Sequence, residues 1–336
     1  MAAPKLVTIF GGSGFVGRYI ARRMAKDGWR VRVAVRNANL AHFERPYGVP
    51  GQVEPIFANV RDDATVRAAI RGADAVVNLV AVLNPVGKQS FGNLHVEGAG
   101  RVARIAAEEG VSALVHMSAI GADPEGLPDY ARSKGEGEQA VRAQFPDAVI
   151  LRPSLIFGPE DALFNRFAGM ARLGPVLPIF GGNTRFQPVY VDDVAAAACK
   201  GVTGRAAPGV YELGGPDVET LRDMMHRMLG VIKRRRLVLN MPFFVGTIMG
   251  RLLDFAQFIT GGIFTNRILT ADQVQTLKSD NVVADTAMGF ADLGITPTSM
   301  DAILDEYLYR FRPQGQYTEL TDSARNVRAG GISSEF

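Results

Sequence analysis

Through the first 155 residues, short apolar runs alternate with stretches of helical period. The runs Leu6–Phe10, Val31–Val35, Val53–Phe57, Ala75–Leu79, Leu114–Met117 and Ala148–Leu151 have the length of buried strands. Between them, Val16–Asp27, Asp62–Arg71, Leu94–Glu109 and Tyr130–Phe145 are long enough for helices. Strand and helix in regular alternation build a parallel sheet covered on both faces. Because such crossovers are right-handed in nearly every case, the fold expected is α/β, a Rossmann-type doubly wound parallel sheet. Prolines at 153, 159, 175, 178 and 188 then break the rhythm, and helical patterns return at Val191–Lys200, Leu221–Leu229 and Met300–Phe311. The predicted organisation is a sheet lobe over residues 1–160, rejoined by 186–215, and a smaller carboxyl-terminal α/β lobe from 161–185 and 216–311. An extended tail follows over 312–336.

The first predicted strand runs directly into Gly11-Gly12-Ser13-Gly14-Phe15-Val16-Gly17, and a helix follows. A glycine triplet between strand and helix is the fingerprint of a dinucleotide pyrophosphate site. Gly11 and Gly14 let the backbone turn and approach a phosphate, and Gly17 lets the helix lie close on the strand. The free N–H groups and dipole of the helix amino terminus attract the anion. The choice of dinucleotide is made at the end of the second strand, where an acid would hold a ribose hydroxyl. There the chain reads Ala34-Val35-Arg36-Asn37, without Asp or Glu between Gly28 and Phe43. Arg36 would pair with a 2′-phosphate that a carboxylate would repel, so NADP(H) is expected over NAD(H). Asn59 and Val60 after the third strand, and Leu79, Val80 and Ala81 after the fourth, are expected beside the adenine and the nicotinamide-side ribose. Ser118 and Pro153, at the ends of the fifth and sixth strands, complete the candidate cofactor contacts.

Tyr130 and Lys134 stand one helical turn apart on a single face. A phenol there can exchange a proton with a carbonyl or hydroxyl, and a nearby ammonium can lower its pKa. The glycine loop, this pair, the segment Arg152–Gly158 and Val189-Tyr190-Val191-Asp192-Asp193-Val194 together resemble the extended form of the short-chain dehydrogenase/reductase superfamily. That resemblance spans about residues 5 to 215 and implies an NAD(P)-binding lobe followed by a smaller lobe that in enzymes holds substrate. The departures are specific. Members commonly end the fifth strand in hydroxyl residues, whereas His116-Met117-Ser118-Ala119-Ile120 has one hydroxyl and none at the place that polarises substrate. The helix motif that usually begins with asparagine has His95 instead.

A narrower resemblance fits those departures. His116–Asp123, Tyr130–Glu138 and Arg152–Asn165 are similar to the nucleotide-binding accessory subunits of respiratory complex I, the NADH:ubiquinone oxidoreductase, in an alphaproteobacterial version. This implies a non-catalytic member in which NADP(H) is a structural or sensing ligand and Tyr130 and Lys134 are vestigial. Its partners would be other subunits of complex I, with peripheral contact to membrane lipid, on the cytoplasmic side of a bacterial inner membrane or the matrix side of a mitochondrion. The alternative is an active NADP-dependent reductase or epimerase using Tyr130 and Lys134.

Composition narrows the setting. Apolar residues make up 47% and charged residues 21% of the 336, as in a packed globular protein. The single Cys199 rules out an internal disulfide, and no export signal is read before the first strand. The four histidines lack metal-ligand spacing, and Asp192-Asp193 reads as a helix start, so no metal is expected. Between Arg222 and Arg251, seven Arg and Lys face one acid, so this window carries +6 of a net +3. A basic face suits an anionic partner, and without a recognition motif it does not suit nucleic acid. Lys233-Arg234-Arg235-Arg236 leads into an apolar stretch ending at Phe264, in which Phe244, Ile248, Leu252, Phe255 and Ile259 form one helical stripe. Its charges and glycines argue against a membrane span. A core helix of the smaller lobe is the expected placement, and a helix resting on anionic headgroups or in a partner's groove is the alternative. The tail from Arg312 to Phe336 is too polar to order itself in isolation.

Overall fold

The computed structural model describes residues 4–260, 266 and 269–317. Seven parallel strands form its central sheet. They are β1 (Leu6–Phe10), β2 (Arg30–Val35), β3 (Val53–Phe57), β4 (Ala75–Asn78), β5 (Ala113–Met117), β6 (Val149–Pro153) and a seventh, Gly209–Leu213. Their spatial order is the seventh strand, then β6, β5, β4, β1, β2 and β3. The winding reverses between β1 and β4, where Val7 sits in register with both Val31 and Ala75. Loops leaving neighbouring strands diverge at such a reversal, so a ligand crevice opens at the carboxyl ends of β1 and β4.

Each predicted strand and helix of the sheet lobe is present within a few residues. Helix α1 (Phe15–Lys26) buries Gly17, Ile20, Ala21 and Met24, a stripe spaced three and four residues apart. Complete burial of Ile20 and Met24 contributes about 1.5–3 kcal/mol each. Helices α2 (Asp63–Ile70), α3 (Glu97–Glu108) and α4 (Asp129–Gln144) close the opposite face of the sheet. Beyond the sheet, α5 (Leu163–Leu173), α7 (Leu221–Val231) and α10 (Met300–Leu308) share a core of their own, while α6 (Val191–Val202) packs back onto α1 and β5. Short strands Val176–Phe180 and Leu237–Met241 pair in parallel beside that second core.

One expectation is corrected here. Helix α8 (Phe243–Ile259) does not bury its apolar stripe in the smaller lobe. Phe244, Ile248, Leu252, Phe255 and Ile259 are 56–66% exposed. The helix is held instead through its other side, by the short α9 (Ala271–Thr276) and by a bond from Gln257 to the Pro85 carbonyl. Among the described residues no helix is long and apolar enough to cross a membrane. Arg312 is anchored to the Val231 carbonyl. The rest of the predicted tail from 318, and the end of the apolar stretch at Gly261, Gly262 and Phe264, lie outside the described residues.

Candidate nucleotide site and the adjoining chemical pocket

The glycine loop turns at the crevice. Gly11 has φ +74°, a conformation costly for any residue with a Cβ, and its N–H donates to the Ala34 carbonyl at 3.0 Å. A Cβ built on Gly17 would fall 2.6 Å from the backbone carbon of Gly12 and closer still to its carbonyl oxygen. Glycine at 17 is therefore what lets α1 lie on the loop. No side chain caps α1, and the N–H groups of Phe15 and Val16 find no acceptor among the described residues. These free donors at a positive helix end, beside a turn without side-chain bulk, fit a dinucleotide pyrophosphate.

Around that turn the predicted contacts divide into two groups. Leu79 and Val80 are half-buried and Ala81 is exposed, directly beside the loop; a Cβ on Gly11 would meet the Leu79 carbonyl carbon at 3.4 Å. Arg36 is exposed at the end of β2 and has no ion pair or side-chain hydrogen bond among the described residues. Its guanidinium is free for an external anion. Asn59 and Val60 are engaged elsewhere. The Asn59 carboxamide oxygen accepts from the Arg61 backbone N–H, and Val60 is buried against α3. Pro153 is buried at the end of β6, where its carbonyl accepts from the Ile120 N–H.

Tyr130 and Lys134 come together on α4, with the Lys134 ammonium 6.0 Å from the centre of the Tyr130 ring. The ammonium is buried and donates to the Met117 carbonyl at 2.9 Å, and burial lowers its pKa to about 8. Burial pushes the Tyr130 phenol up to about 12, the opposite of the activation read from the sequence spacing. The Ser118 hydroxyl is engaged within the protein: it donates to Glu138, one further helical turn along α4. Glu138 is itself buried and takes two bonds from Arg152, at 2.8 and 2.7 Å, while Arg152 also lies 3.5 Å from Glu212. The buried charge is thus paired and hydrogen-bonded, the condition under which it is tolerated.

Two further groups, whose roles the sequence did not reveal, hold this pocket. His95 accepts from the Val82 N–H through Nε2 at 3.0 Å, and its Nδ1 lies 2.9 Å from the Ser133 hydroxyl. Because that hydroxyl donates to the Tyr130 carbonyl, Nδ1 must carry the proton, and burial keeps the ring neutral with a pKa near 3. His95 therefore ties the loop after β4 to α4, while Phe91 stacks on it at 5.2 Å. The second group is Asp272 of α9, whose carboxylate accepts the N–H groups of Asp129 and Tyr130 and so caps α4 from a distant part of the chain. The four-residue spacing of Tyr130, Lys134 and Glu138 was a readable sign of the buried carboxylate. No local signal pointed to Asp272.

Comparison with known proteins gives the family and the fold. The NAD dependent epimerase/dehydratase family matches residues 7–214. The mitochondrial NADH dehydrogenase [ubiquinone] 1 alpha subcomplex subunit 9 of Arabidopsis thaliana is 31% identical, over 92% of this chain and 79% of that one. A ceramide reductase of Caulobacter vibrioides is 32% identical over 57% of this chain and 59% of its own length. Among solved structures, an NADPH-dependent quinone oxidoreductase from Escherichia coli, complexed with NADPH, shares the fold at a TM-score of 0.68, with 18% identity, covering 90% of this chain and 98% of that one. The chain belongs to the NAD dependent epimerase/dehydratase family, whose nicotinamide-dinucleotide loop it retains.

Proposed function

We propose that this chain is a non-catalytic, NADP(H)-binding accessory subunit of respiratory complex I, peripheral to the membrane on the cytoplasmic side in a bacterium. The observation that carries the reading is a nucleotide turn kept intact beside a disabled chemical pocket. Ser118 is locked to Glu138, Ala119 and Ile120 supply no hydroxyl, and the Tyr130 phenol is pushed up rather than down. Similarity over 92% of this chain to a mitochondrial protein named as an NADH dehydrogenase [ubiquinone] subunit supports the assignment of partners. The stripe on α8 gives such a subunit an apolar surface to bury against a neighbour.

A bound dinucleotide supplies binding free energy to the fold, about 2.7 kcal/mol at a hundredfold excess over its Kd, without any turnover. The chain's own groups would do the holding. The Phe15 and Val16 N–H groups meet the pyrophosphate, Arg36 the 2′-phosphate, and Leu79, Val80 and Ala81 line the crevice. The two-lobe division, the retained Tyr130 and Lys134 and the cytoplasmic placement are parts of the same proposal.

A second reading, an active NADP-dependent reductase, is favoured by the Tyr130–Lys134 spacing and by the similarity to a protein named ceramide reductase. That similarity spans little more than half of either chain. One preparation separates the two. Protein extracted with its membrane is tested for co-migration with complex I, then denatured and its released nucleotide identified. The first reading expects NADP(H), co-migration, and an assembly level unchanged by Tyr130→Phe. Oxidation of NADPH by the isolated chain with a carbonyl substrate, abolished by Tyr130→Phe, would overturn it.

A further inference from the structure

The carboxyl end of α7 carries a concentration of positive charge that the nucleotide crevice does not use. A cavity of about 520 Å³ there is lined by His226, Leu229, Gly230, Lys233, Arg234, Arg235 and Arg236, with no Asp or Glu in its wall among the described residues. The backbone is specialised at this point. Lys233 has φ +52° and is the only non-glycine residue in the left-handed region among those described. Such a conformation is uncommon for a side chain as long as lysine and persists only where the surroundings impose it. It closes a turn in which the N–H groups of Lys233 and Arg234 return to the Gly230 and Leu229 carbonyls, both at 3.0 Å.

Two of the guanidinium groups are set rather than loose. Arg234 Nε donates to the Phe311 carbonyl at 2.9 Å, and Arg236 Nε donates to the Ala171 carbonyl at 2.7 Å. The bond from Arg234 fixes one nitrogen and leaves both of its Nη groups available, whereas Arg236 Nη1 also donates to the Arg235 carbonyl at 2.9 Å, so Arg236 keeps Nη2 for an outside acceptor. Arg235 is exposed and makes no side-chain bond among the described residues. Like charges are also crowded. Arg236 and Arg172 both act to lower the pKa of Arg234, after the larger effect of burial. The dipole at the end of α7 favours cations and accounts for part of the cluster. It does not account for four successive Lys and Arg side chains lining one cavity, two of them oriented by main-chain carbonyls.

We propose that this cavity binds a phosphate group, held by forked contacts from Arg234 and Arg235 and by a single contact from Arg236. Planar guanidinium forks match phosphate oxygens two at a time, and preset forks lose less freedom on binding than free ones. The phosphate could be carried by a soluble phosphorylated molecule or by the headgroup of an anionic phospholipid. The inference is independent of the nucleotide reading, because α7 belongs to the second core and not to the crevice at β1 and β4.

The test uses the full chain with its crevice saturated by NADPH, so that pyrophosphate cannot report on the glycine loop. Inorganic pyrophosphate is titrated calorimetrically at two salt concentrations. In parallel, the chain is sedimented with phosphatidylcholine vesicles, with and without phosphatidylglycerol. Pyrophosphate should bind and weaken with salt, and Arg235→Glu should reduce its affinity at least about tenfold without altering thermal unfolding. Arg235→Gln should fall between the two. Sedimentation only with the anionic vesicles, lost in Arg235→Glu and reversed by pyrophosphate, would identify a lipid headgroup; pyrophosphate binding without sedimentation would identify a soluble phosphate. The proposal fails if the wild type binds neither probe, or if Arg235→Glu binds as the wild type does. A chain that fails to take up NADPH yet shows the Arg235 effect would sink the crevice reading and leave this one standing.

Discussion

Replacing Arg36 by serine should separate NADPH from NADH without touching the fold. The side chain is exposed and makes no ion pair among the described residues, so its removal should leave unfolding within about 0.5 kcal/mol of the wild type. Against a 2′-phosphate at about 4 Å, the Coulomb energy of one charge pair ranges from about 1 kcal/mol in bulk water to about 4 kcal/mol near a protein surface. Exposure at the end of β2 places Arg36 toward the lower end. A loss of about 1–2 kcal/mol corresponds to about 5- to 30-fold weaker NADPH binding, with NADH unchanged. Salt supplies a second reading of the same contact. Raising it to about 1 M shortens the screening length from about 10 to about 3 Å, which should erode the wild-type preference for NADPH and leave Arg36→Ser unaffected. Both quantities come from fluorescence or calorimetric titration of the purified chain with each dinucleotide. Equal losses for NADPH and NADH, or a wild type that binds NADH more tightly, would refute the role given to Arg36.

Other substitutions probe the scaffold. Gly17→Ala places a Cβ against the Gly12 backbone, which cannot move as a flexible side chain can, so urea unfolding should lose about 1–3 kcal/mol and dinucleotide affinity should fall with it. An unchanged midpoint would mean the loop has slack that the packing does not show. Glu138→Ala leaves Arg152 half-buried with Glu212 at 3.5 Å as its remaining partner, and about 3–5 kcal/mol should be lost. Ser118→Ala should cost much less, and the reverse order would contradict the network. Glu44 is buried with both carboxylate oxygens unpartnered among the described residues, and burial pushes its pKa from 4.5 up to about 8. The folded chain therefore holds a proton that the unfolded chain releases, so this group's contribution is complete below about pH 4.5 and is lost as pH rises through about 8. Thermal unfolding of the wild type should decline relative to Glu44→Gln between about pH 5 and 8, and parallel curves would show that Glu44 is ionised in the fold.

Most of the sheet lobe was legible in sequence because its determinants are local. Strand length, helical period and the order of strand, glycine turn and helix are all written within a dozen residues of one another. The seventh strand, Gly209–Leu213, was anticipated only as a return of the chain to the sheet, since its pairing partner β6 lies about sixty residues earlier. The parallel pairing of Val176–Phe180 with Leu237–Met241 was hidden for the same reason. The ten-residue 3₁₀ stretch Ala38–Tyr47, opened by Asn37 accepting from the Asn39 N–H, has no apolar period to announce it. For α8 the periodicity was correct and the inference drawn from it was not. A stripe specifies that one face seeks apolar contact, but not whether this chain or another surface provides it.

The same distinction between local and distant determinants explains why the chemical pocket was harder to read than the nucleotide turn. A phosphate is held by backbone N–H groups and by the absence of side chains, so glycine spacing nearly specifies the site. Acid–base chemistry depends on which way a few hydroxyl, carboxyl and ammonium groups point, and that is set by neighbours far apart in sequence. Here α4 presents Tyr130, Lys134 and Glu138 at successive turns, and the third of these governs the other contacts. Glu138 draws in the Ser118 hydroxyl from just beyond β5 and Arg152 from β6, while Lys134 settles on the Met117 carbonyl. Each of these bonds satisfies a group that burial would otherwise penalise. The Ser118 hydroxyl and the Lys134 ammonium are thereby part of what holds the helix to the sheet. On the function proposed above, such a pocket keeps its residue types without their reactivity, and binding of the dinucleotide, rather than its oxidation or reduction, is the property retained.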